Sequence, residues 1–477
     1  MQLDLSLIVP EITVAVLAMS VLIFGLIIPA GSRQGLGWFT AVTLLGVMGL
    51  VIAGWENMGS LYGGLYVVDQ YSQFFKITFL VAAFLVVLGS MRYVDKHLGG
   101  QSEYYSLTLF ATLGMMVMTS AGDFMTIYLG LELMTIAFVI LVCFRRLESK
   151  SLEAGMKYVL LAGMSSAVLL YGLSLVYGMT GSVVVAEVGG RLAEVGANPL
   201  MMLGLVMLLA GLGFKISAVP FHMWSPDIYE GAPTPVTSFL AVGSKAASFA
   251  VLIRIFMVGM QGVPLNWDLL LALLAAVTII VGNLVAIPQT NIKRLLAFSS
   301  VAQAGYILVG MVALDPEGGV KGIMFYGFLY VFATLGAFTV AAHFYNKTGS
   351  DEIKDYAGLA QRSPLMAAVM VVALLSMAGI PPLAGFVGKF YLFMNIVDNY
   401  LWLAFIGLVM SMVSVYYYLR VALVMYRNEP LDETPIAVSG PVSVTLILTM
   451  VVTVFLGIYP GPLSEIVNSA AHSFFLH

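Results

Sequence analysis

The sequence predicts an all-α, polytopic membrane protein of about fourteen transmembrane helices. Three observations lead there. The chain is 60% hydrophobic and only 10% charged, with a mean hydropathy of +0.99, where a soluble chain carries about 25% charged residues. No soluble fold hides that much apolar surface, so the bilayer is its solvent. Apolar runs of roughly 20 residues, the length that crosses the hydrocarbon core, recur from one end of the chain to the other. Finally, two of these runs are interrupted by proline near their middles, at Pro220 and at Pro381 and Pro382. Unwound backbone at membrane depth is tolerated only where protein or water satisfies it.

Taken in order, the runs place spans at 7–29, 36–55, 71–92, 103–122, 124–144, 153–177, 200–229, 234–258, 267–287, 292–313, 319–345, 363–397, 401–427 and 440–459, the seventh and twelfth interrupted. The longest loops, near 178–199 and 346–362, are short, and no soluble domain is expected. Lysine and arginine favour the cytoplasmic side. With the N-terminus outside, Arg33, Arg92, Lys96, Arg145, Arg146, Lys150, Lys293, Arg294, Lys347, Lys354, Arg362, Arg420 and Arg427 all fall at inner ends. The outer side receives Arg191, Lys321 and the membrane-edge Arg254. Fourteen spans then put the C-terminus outside as well. The N-terminal run opens on Asp4 rather than a basic stretch and is long enough to span, so it reads as a first helix and not as a cleaved signal peptide.

Composition also excludes chemistry. A net charge of −4 argues against a nucleic-acid partner. The single cysteine, Cys143, allows neither an internal disulfide nor a cysteine-held iron–sulfur cluster. No glycine-rich dinucleotide or phosphate-binding motif occurs, and the histidine spacing offers no metal site.

The two broken spans lie five apart, an odd offset that makes the second copy enter from the opposite face. That is the pattern of an inverted repeat, spans 4–8 and 9–13. The chain then divides into 1–102, a first repeat 103–258, a second repeat 267–427 and a C-terminal helix within 440–477. A fainter echo agrees: Lys245 and Arg254 are nine residues apart in span 8, as are Ser411 and Arg420 in span 13. Each break has a lysine nearby, Lys215 and Lys389.

Five lysines fall within spans: Lys76, Lys157, Lys215, Lys245 and Lys389. Lys76 lies near the outer end of its helix, from which a lysine reaches water by snorkelling. Lys157 lies nearer the inner surface beside Glu153. Glu132 sits near the middle of span 5. A charge at the bilayer centre costs roughly 2.5–3.5 kcal/mol on insertion scales, so the set costs on the order of 10 kcal/mol unless paired or hydrated, and it marks an ion or proton pathway. Lysine suits that task. Burial disfavours its charged form and a nearby carboxylate favours it, so a Glu132–Lys215 pair holds a proton that separation releases. Lys157, Lys245 and Lys389 would pass it on through water and hydroxyls such as Ser165, Ser166, Ser244, Ser299 and Ser300. Gln303 is a candidate to line that route. His222 either donates to carbonyls freed by Pro220 or joins the relay. His343 reads as an interface residue, and Asp227 and Glu230 as caps or ion pairs at the inner surface.

The stretches G-D-F-M-T-I-Y-L-G-L-E-L-M-T (122–135), E-A-G-M-K-Y (153–158), G-F-K-I-S-A-V-P-F-H-M-W-S-P-D-I-Y-E-G-A-P-T-P-V (213–236), S-K-A-A (244–247) and N-I-K-R-L-L-A-F-S-S (291–300) resemble the antiporter-like subunits of respiratory complex I, over essentially the whole chain. Among the L, M and N families, the opening L-I-V-P-E-I, V-D-Q-Y-S-Q-F-F-K (68–76), the lysine at 389 and the lack of a lateral helix are most similar to N. The resemblance implies that Glu132 and Lys215 are the pair of helices 5 and 7, Lys245 the central lysine, Lys389 the exit-side lysine, and Lys157 a modulator of the pair. Gln303 stands where relatives such as enterobacterial members carry a histidine, so water must bridge there. It further implies proton translocation in a bacterial plasma (inner) membrane, beside M-, L-, K- and J-type subunits, membrane lipid and a peripheral redox arm. NADH, FMN, iron–sulfur clusters and quinone would belong to partner subunits, leaving no cofactor and no redox chemistry in this chain. The alternative is a subunit of a multi-subunit sodium/proton antiporter or membrane-bound hydrogenase. A stand-alone transporter of organic solutes lacks the polar pocket it would need.

Overall fold

Apolar runs in a bilayer must satisfy their own backbone, and helices do so internally. The computed structural model, which describes residues 4–29, 33–196, 198–260, 266–430 and 432–473, is accordingly built of helices. The first half comprises α1 (Val9–Ile27), α2 (Gly35–Ala53), α3 (Gln70–His97), α4 (Gln101–Thr119), α5 (Phe124–Val142) and α6 (Ser149–Thr180). After a short α7 (Val185–Val195) come α8 (Pro199–Lys215), α9 (Trp224–Gly231) and α10 (Thr234–Gly259). The second half runs through α11 (Trp267–Ala286), α12 (Ile292–Val312), α13 (Lys321–Thr348), α14 (Pro364–Ala378), α15 (Ala384–Met394), α16 (Val397–Arg427), α17 (Gly440–Ile458) and α18 (Gly461–Ser473). Among the described residues, 11 helices are long and apolar enough to cross a membrane. The other expected spans fall on α4 and on the paired short helices α8–α9 and α14–α15. The expected end of the chain, 474–477, lies outside the described residues.

Local chemistry sets the helix starts. Asp69 and Ser72 form a reciprocal capping box at α3, the Asp69 carboxylate accepting from the Ser72 amide at 2.7 Å. Asp123 accepts from the amides of Met125 and Thr126 to start α5, and Asn291 from those of Lys293 and Arg294 to start α12. α10 and α12 are wholly buried, so they form the axis around which the other helices pack.

Three elements escaped the sequence reading. An antiparallel hairpin, β1 (Gly59–Leu61) and β2 (Tyr66–Val68), joins α2 to α3. It is pinned to the α4–α5 turn by Val67 N–H to Ser120 O at 2.7 Å and Gly122 N–H to Leu65 O at 2.8 Å. A Cβ on Gly122 would lie 2.0 Å from the Gly64 oxygen, so only glycine permits that approach. The expected loop at 178–199 contains α7. The amphipathic α18 docks on the start of α3, with the Tyr71 amide donating to Ser473 at 3.2 Å and Ser469 to Gln70 at 2.7 Å. Leu7 packs on the hairpin, so both described ends share the face that the basic residues mark as outer.

Candidate proton pathway

Both broken spans are unwound where the prolines require it: 216–223 between α8 and α9, and 379–383 between α14 and α15. The Val219–Pro220 and Pro381–Pro382 bonds are cis. The freed groups find partners. The Trp224 indole donates to the Phe214 carbonyl at 2.8 Å, and Thr278 accepts from the Val219 amide at 3.1 Å. At the second break Ser376 accepts from the Gly385 amide at 3.0 Å. The two lysines stand on opposite sides of their breaks. Lys215 ends α8, before the first, whereas Lys389 lies in α15, beyond the second.

Lys215 is buried, and its ammonium donates to Thr135 Oγ1 at 2.8 Å. Glu132 is half-buried and accepts from the Ser166 hydroxyl at 2.5 Å. No ion pair joins Glu132 to Lys215 among the described residues: the lysine rests on Thr135 and the carboxylate on Ser166. Thr135 lies one turn along α5 from Glu132, so a rotamer change separates the lysine's present acceptor from the carboxylate. Beyond Lys215, the unwound segment and the start of α9 bury three polar atoms that have no hydrogen-bond partner: Ser217 Oγ, His222 Nδ1 and Ser225 Oγ. Buried polar atoms of this kind call for water.

On the axis, the Lys245 ammonium donates to the Ser300 carbonyl at 2.7 Å and also meets the Ser300 hydroxyl. Ser300 Oγ lies 3.5 Å from the Tyr229 hydroxyl of α9. The neighbouring Ser299 hydroxyl is 2.5 Å from Tyr418, and Tyr418 accepts from the Gln303 amide at 3.4 Å. Gln303 also donates to the Met377 carbonyl at 3.0 Å and accepts from Tyr326. That same Met377 carbonyl accepts from Lys389 at 3.0 Å. Lys389 completes its donors on the Ala378 carbonyl at 3.1 Å and Ser411 Oγ at 2.8 Å, with the Tyr306 ring centroid 4.1 Å away. The buried polar series thus has two parts, Lys245–Ser300–Tyr229 and Ser299–Tyr418–Gln303–Met377–Lys389, that adjoin at the Ser299–Ser300 peptide of α12. Ser244 stands outside it, its hydroxyl turned back onto the Leu240 carbonyl at 2.9 Å, and Ser165 donates to the Gly211 carbonyl.

Lys157 is not buried like the others. Its side chain is 42% exposed and sits 2.8 Å from both Glu153 and Asp227. Arg294 bridges Asp227 to Glu230, and Glu230 meets Lys150, so six charges alternate in sign along one edge. They line a cavity of about 210 Å³. The His343 ring Nε2–H donates to the Ala437 carbonyl, 3.1 Å away, near the inner ends.

Two further charged residues are more buried than expected. Lys76 does not reach water. It is fully buried and paired with Glu11 at 2.8 Å. Arg254, expected at the outer membrane edge, is buried within the protein there and paired with Asp69 at 3.0 Å. Glu11 and Asp69 were overlooked as partners. Their signal was an acidic residue at the start of an apolar run.

Paired short helices around two mid-membrane breaks, with buried lysines strung between them, define an antiporter-like membrane subunit. Residues 121–414 match the family model described as NADH:quinone oxidoreductase/Mrp antiporter, TM. The NADH-quinone oxidoreductase subunit N of Desulforamulus reducens is 64% identical, covering 100% of both chains. A chain of respiratory complex I from Thermus thermophilus, solved with aureothin bound, is 33% identical over 97% of this chain and 100% of its own, with a TM-score of 0.82. A chain of the Mrp complex from Dietzia sp. reaches a TM-score of 0.87 at 20% identity, covering 99% of this chain and 98% of its own, a likeness of fold alone. The chain belongs to the NADH-quinone oxidoreductase subunit N family.

Proposed function

We infer that this chain is a proton-translocating membrane subunit of an NADH:quinone oxidoreductase in a bacterial plasma membrane. It works beside M-, L-, K- and J-type subunits, with the redox cofactors in partner chains. The observation that carries the reading is the pair of buried polar clusters that adjoin at Ser299 and Ser300 of α12, one holding Lys245 and the other running through Tyr418 and Gln303 to Lys389. An apolar core would be cheaper to bury, so the retained charges point to transport. Residues 103–258 and 267–427 act as two half-channels that meet at α12.

The chemistry runs as follows. Lys215 holds a proton while Glu132 is near and releases it when the carboxylate is held off by Ser166. Water around Ser217, His222 and Ser225 receives the proton and delivers it past Tyr229 to Lys245. Serine and tyrosine hydroxyls then relay it across α12. A carbonyl does not carry a proton, so the step from Gln303 past Met377 to Lys389 runs through water. Family membership, at 64% identity over the full length, favours this reading over a stand-alone antiporter.

The test is Lys215→Arg. Arginine keeps the positive charge but does not give its proton up, so pumping should fall to below about a tenth, because arginine holds its proton two or more pK units more tightly. Proton uptake and quinone reduction are measured in membrane vesicles, with assembly read on native gels. Normal pumping in an assembled Lys215→Arg complex would show that the lysine is a fixed charge and reject the relay.

A further inference from the structure

Arg254 has no part in the relay described above, yet it is buried on the same wholly buried helix as Lys245. Two π-helical turns, Leu240–Ser244 and Ile255–Gly259, bracket the ten-residue α-helical segment Lys245–Arg254. Such turns are rare and concentrate at functional sites. The inner end of the segment is Lys245, which holds Ser300. The outer end is Arg254, whose guanidinium donates to both Asp69 oxygens at 3.2 and 3.0 Å and to the Thr119 carbonyl at 3.2 Å. Between them the Ser248 hydroxyl donates to Ser244 O at 2.8 Å, and the Tyr71 hydroxyl to Ala250 O at 2.8 Å. Arg254 also lies 5.4 Å from the Tyr71 ring centroid. The segment spans about 13.5 Å at 1.5 Å per residue, so these groups occupy the space between the central lysine and the outer face.

The second half repeats the arrangement at the other face. Arg420, nine residues after Ser411, donates to the Ile287 carbonyl at 2.8 Å and to that of Gln289. Arg254 clasps the carbonyl end of α4, and Arg420 the carbonyl end of α11, one near each surface. Arginine stays protonated, so it carries no proton itself. A fixed positive charge in a buried passage is instead a barrier to protons, as in other selective pores.

We propose that Arg254, held in place by Asp69, is the outer gate of the proton route that passes Lys245. The gate blocks back-flow from outside, and the helical segment between the two π-turns keeps it in line with the lysine it guards. The proposal rests on the relay reading above. Opening requires Asp69 and Arg254 to part, and the π-turns allow the segment to shift register at each end.

The test uses the whole complex in sealed vesicles with a potassium diffusion potential and a pH-sensitive dye inside. Passive proton leak, normalised to assembled complex, is measured for Arg254→Gln, Arg254→Met and Arg254→Lys. The neutral variants should leak at least about tenfold faster, the factor that about 1.4 kcal/mol of lost barrier gives. Their quinone reduction should also lose its acceleration by uncoupler. Arg254→Lys, which keeps a cation there, should stay tight. Adding Lys245→Met to Arg254→Gln should seal the leak, since the guarded route is then cut further in. Tight membranes in the neutral variants, an equal leak in Arg254→Lys, or a leak that survives Lys245→Met would each overturn the gate. So would failure of both neutral variants to assemble while Arg254→Lys assembles, which would make the pair a structural clamp. Normal pumping in Lys245→Met alone would instead defeat the relay reading, a separate outcome.

Discussion

Lys76→Ala should destabilise this subunit severely, although a lysine near a span end is ordinarily expendable. Its ammonium lies 2.8 Å from Glu11, and the two side chains are 0% and 3% exposed. Tyr66 of β2 is within 3.4 Å of the same nitrogen. Truncation leaves the buried Glu11 carboxylate without its cation. Stranding one member of a buried pair costs about 3–5 kcal/mol, and the vacated lysine stem adds a cavity cost within the same range. Native proteins have only about 5–15 kcal/mol in hand, so assembled complex should be scarce and should fall apart at lower temperature. Removing both charges with near-matched volume, Glu11→Leu with Lys76→Met, should recover most of the loss, because a buried pair is often replaceable by apolar groups at no net cost. Solubilised membranes are heated in steps and the intact complex is read on native gels. A wild-type midpoint for Lys76→Ala would refute the reasoning, as would a double variant no more stable than the single one.

Gln303→Leu should leave the Tyr326 hydroxyl without its acceptor and the Met377 carbonyl with one donor fewer, costing about 2–3 kcal/mol if two hydrogen bonds go unmade. Pumping should fall further than assembly, measured on the same vesicles. Lys157→Ala, by contrast, removes a 42% exposed lysine whose partner Asp227 keeps Arg294. Stability should change by less than about 1 kcal/mol, and a pumping loss as large as that of Lys215→Arg would show that Lys157 belongs to the relay.

What the sequence disclosed follows from physics that acts locally. Apolar length marks a span wherever it occurs, and prolines mark the breaks because no helix interior supplies what they remove. Lys215, Lys245 and Lys389 were visible because a charge in an apolar run has no cheap explanation. Partners were harder. Glu11 and Lys76 lie on helices brought together only by the tertiary fold, and Asp69 and Arg254 lie 185 residues apart. Both pairs sit near span ends, where snorkelling is an adequate account of a lone charge. That Trp224 is the donor to the Phe214 carbonyl depends on which ring the turn aims inward, and sequence order does not fix that. The hairpin carried a readable signal, Tyr62-Gly63-Gly64 between short apolar runs, but hydropathy over twenty residues averages it away.

The two breaks share a backbone design and differ in what controls their lysines. Aligned on the positive-φ residues Ser217 and Gly379, which also matches Pro220 with Pro382, Lys215 and Met377 occupy the same place. The second half therefore has a methionine where the first has its lysine, and carries Lys389 on the far side of the break. That position changes the chemistry. Lys389 itself satisfies the carbonyls of Met377 and Ala378 that the unwound segment leaves free, with Ser411 as its third acceptor, and no carboxylate lies within ion-pair distance among the described residues. Backbone carbonyls are fixed by the fold, so its surroundings stay constant unless the break itself moves. Lys215 leaves the freed Phe214 carbonyl to Trp224 and rests on a threonine one turn from a carboxylate. A side-chain rotation is enough to change its electrostatic surroundings. On the proposed relay, the first half would be switched by the motion of one glutamate, whereas the second would respond to movement of α14 against α15. A route that loads at Lys215 and ends at Lys389 accordingly has its adjustable step early and its fixed step late.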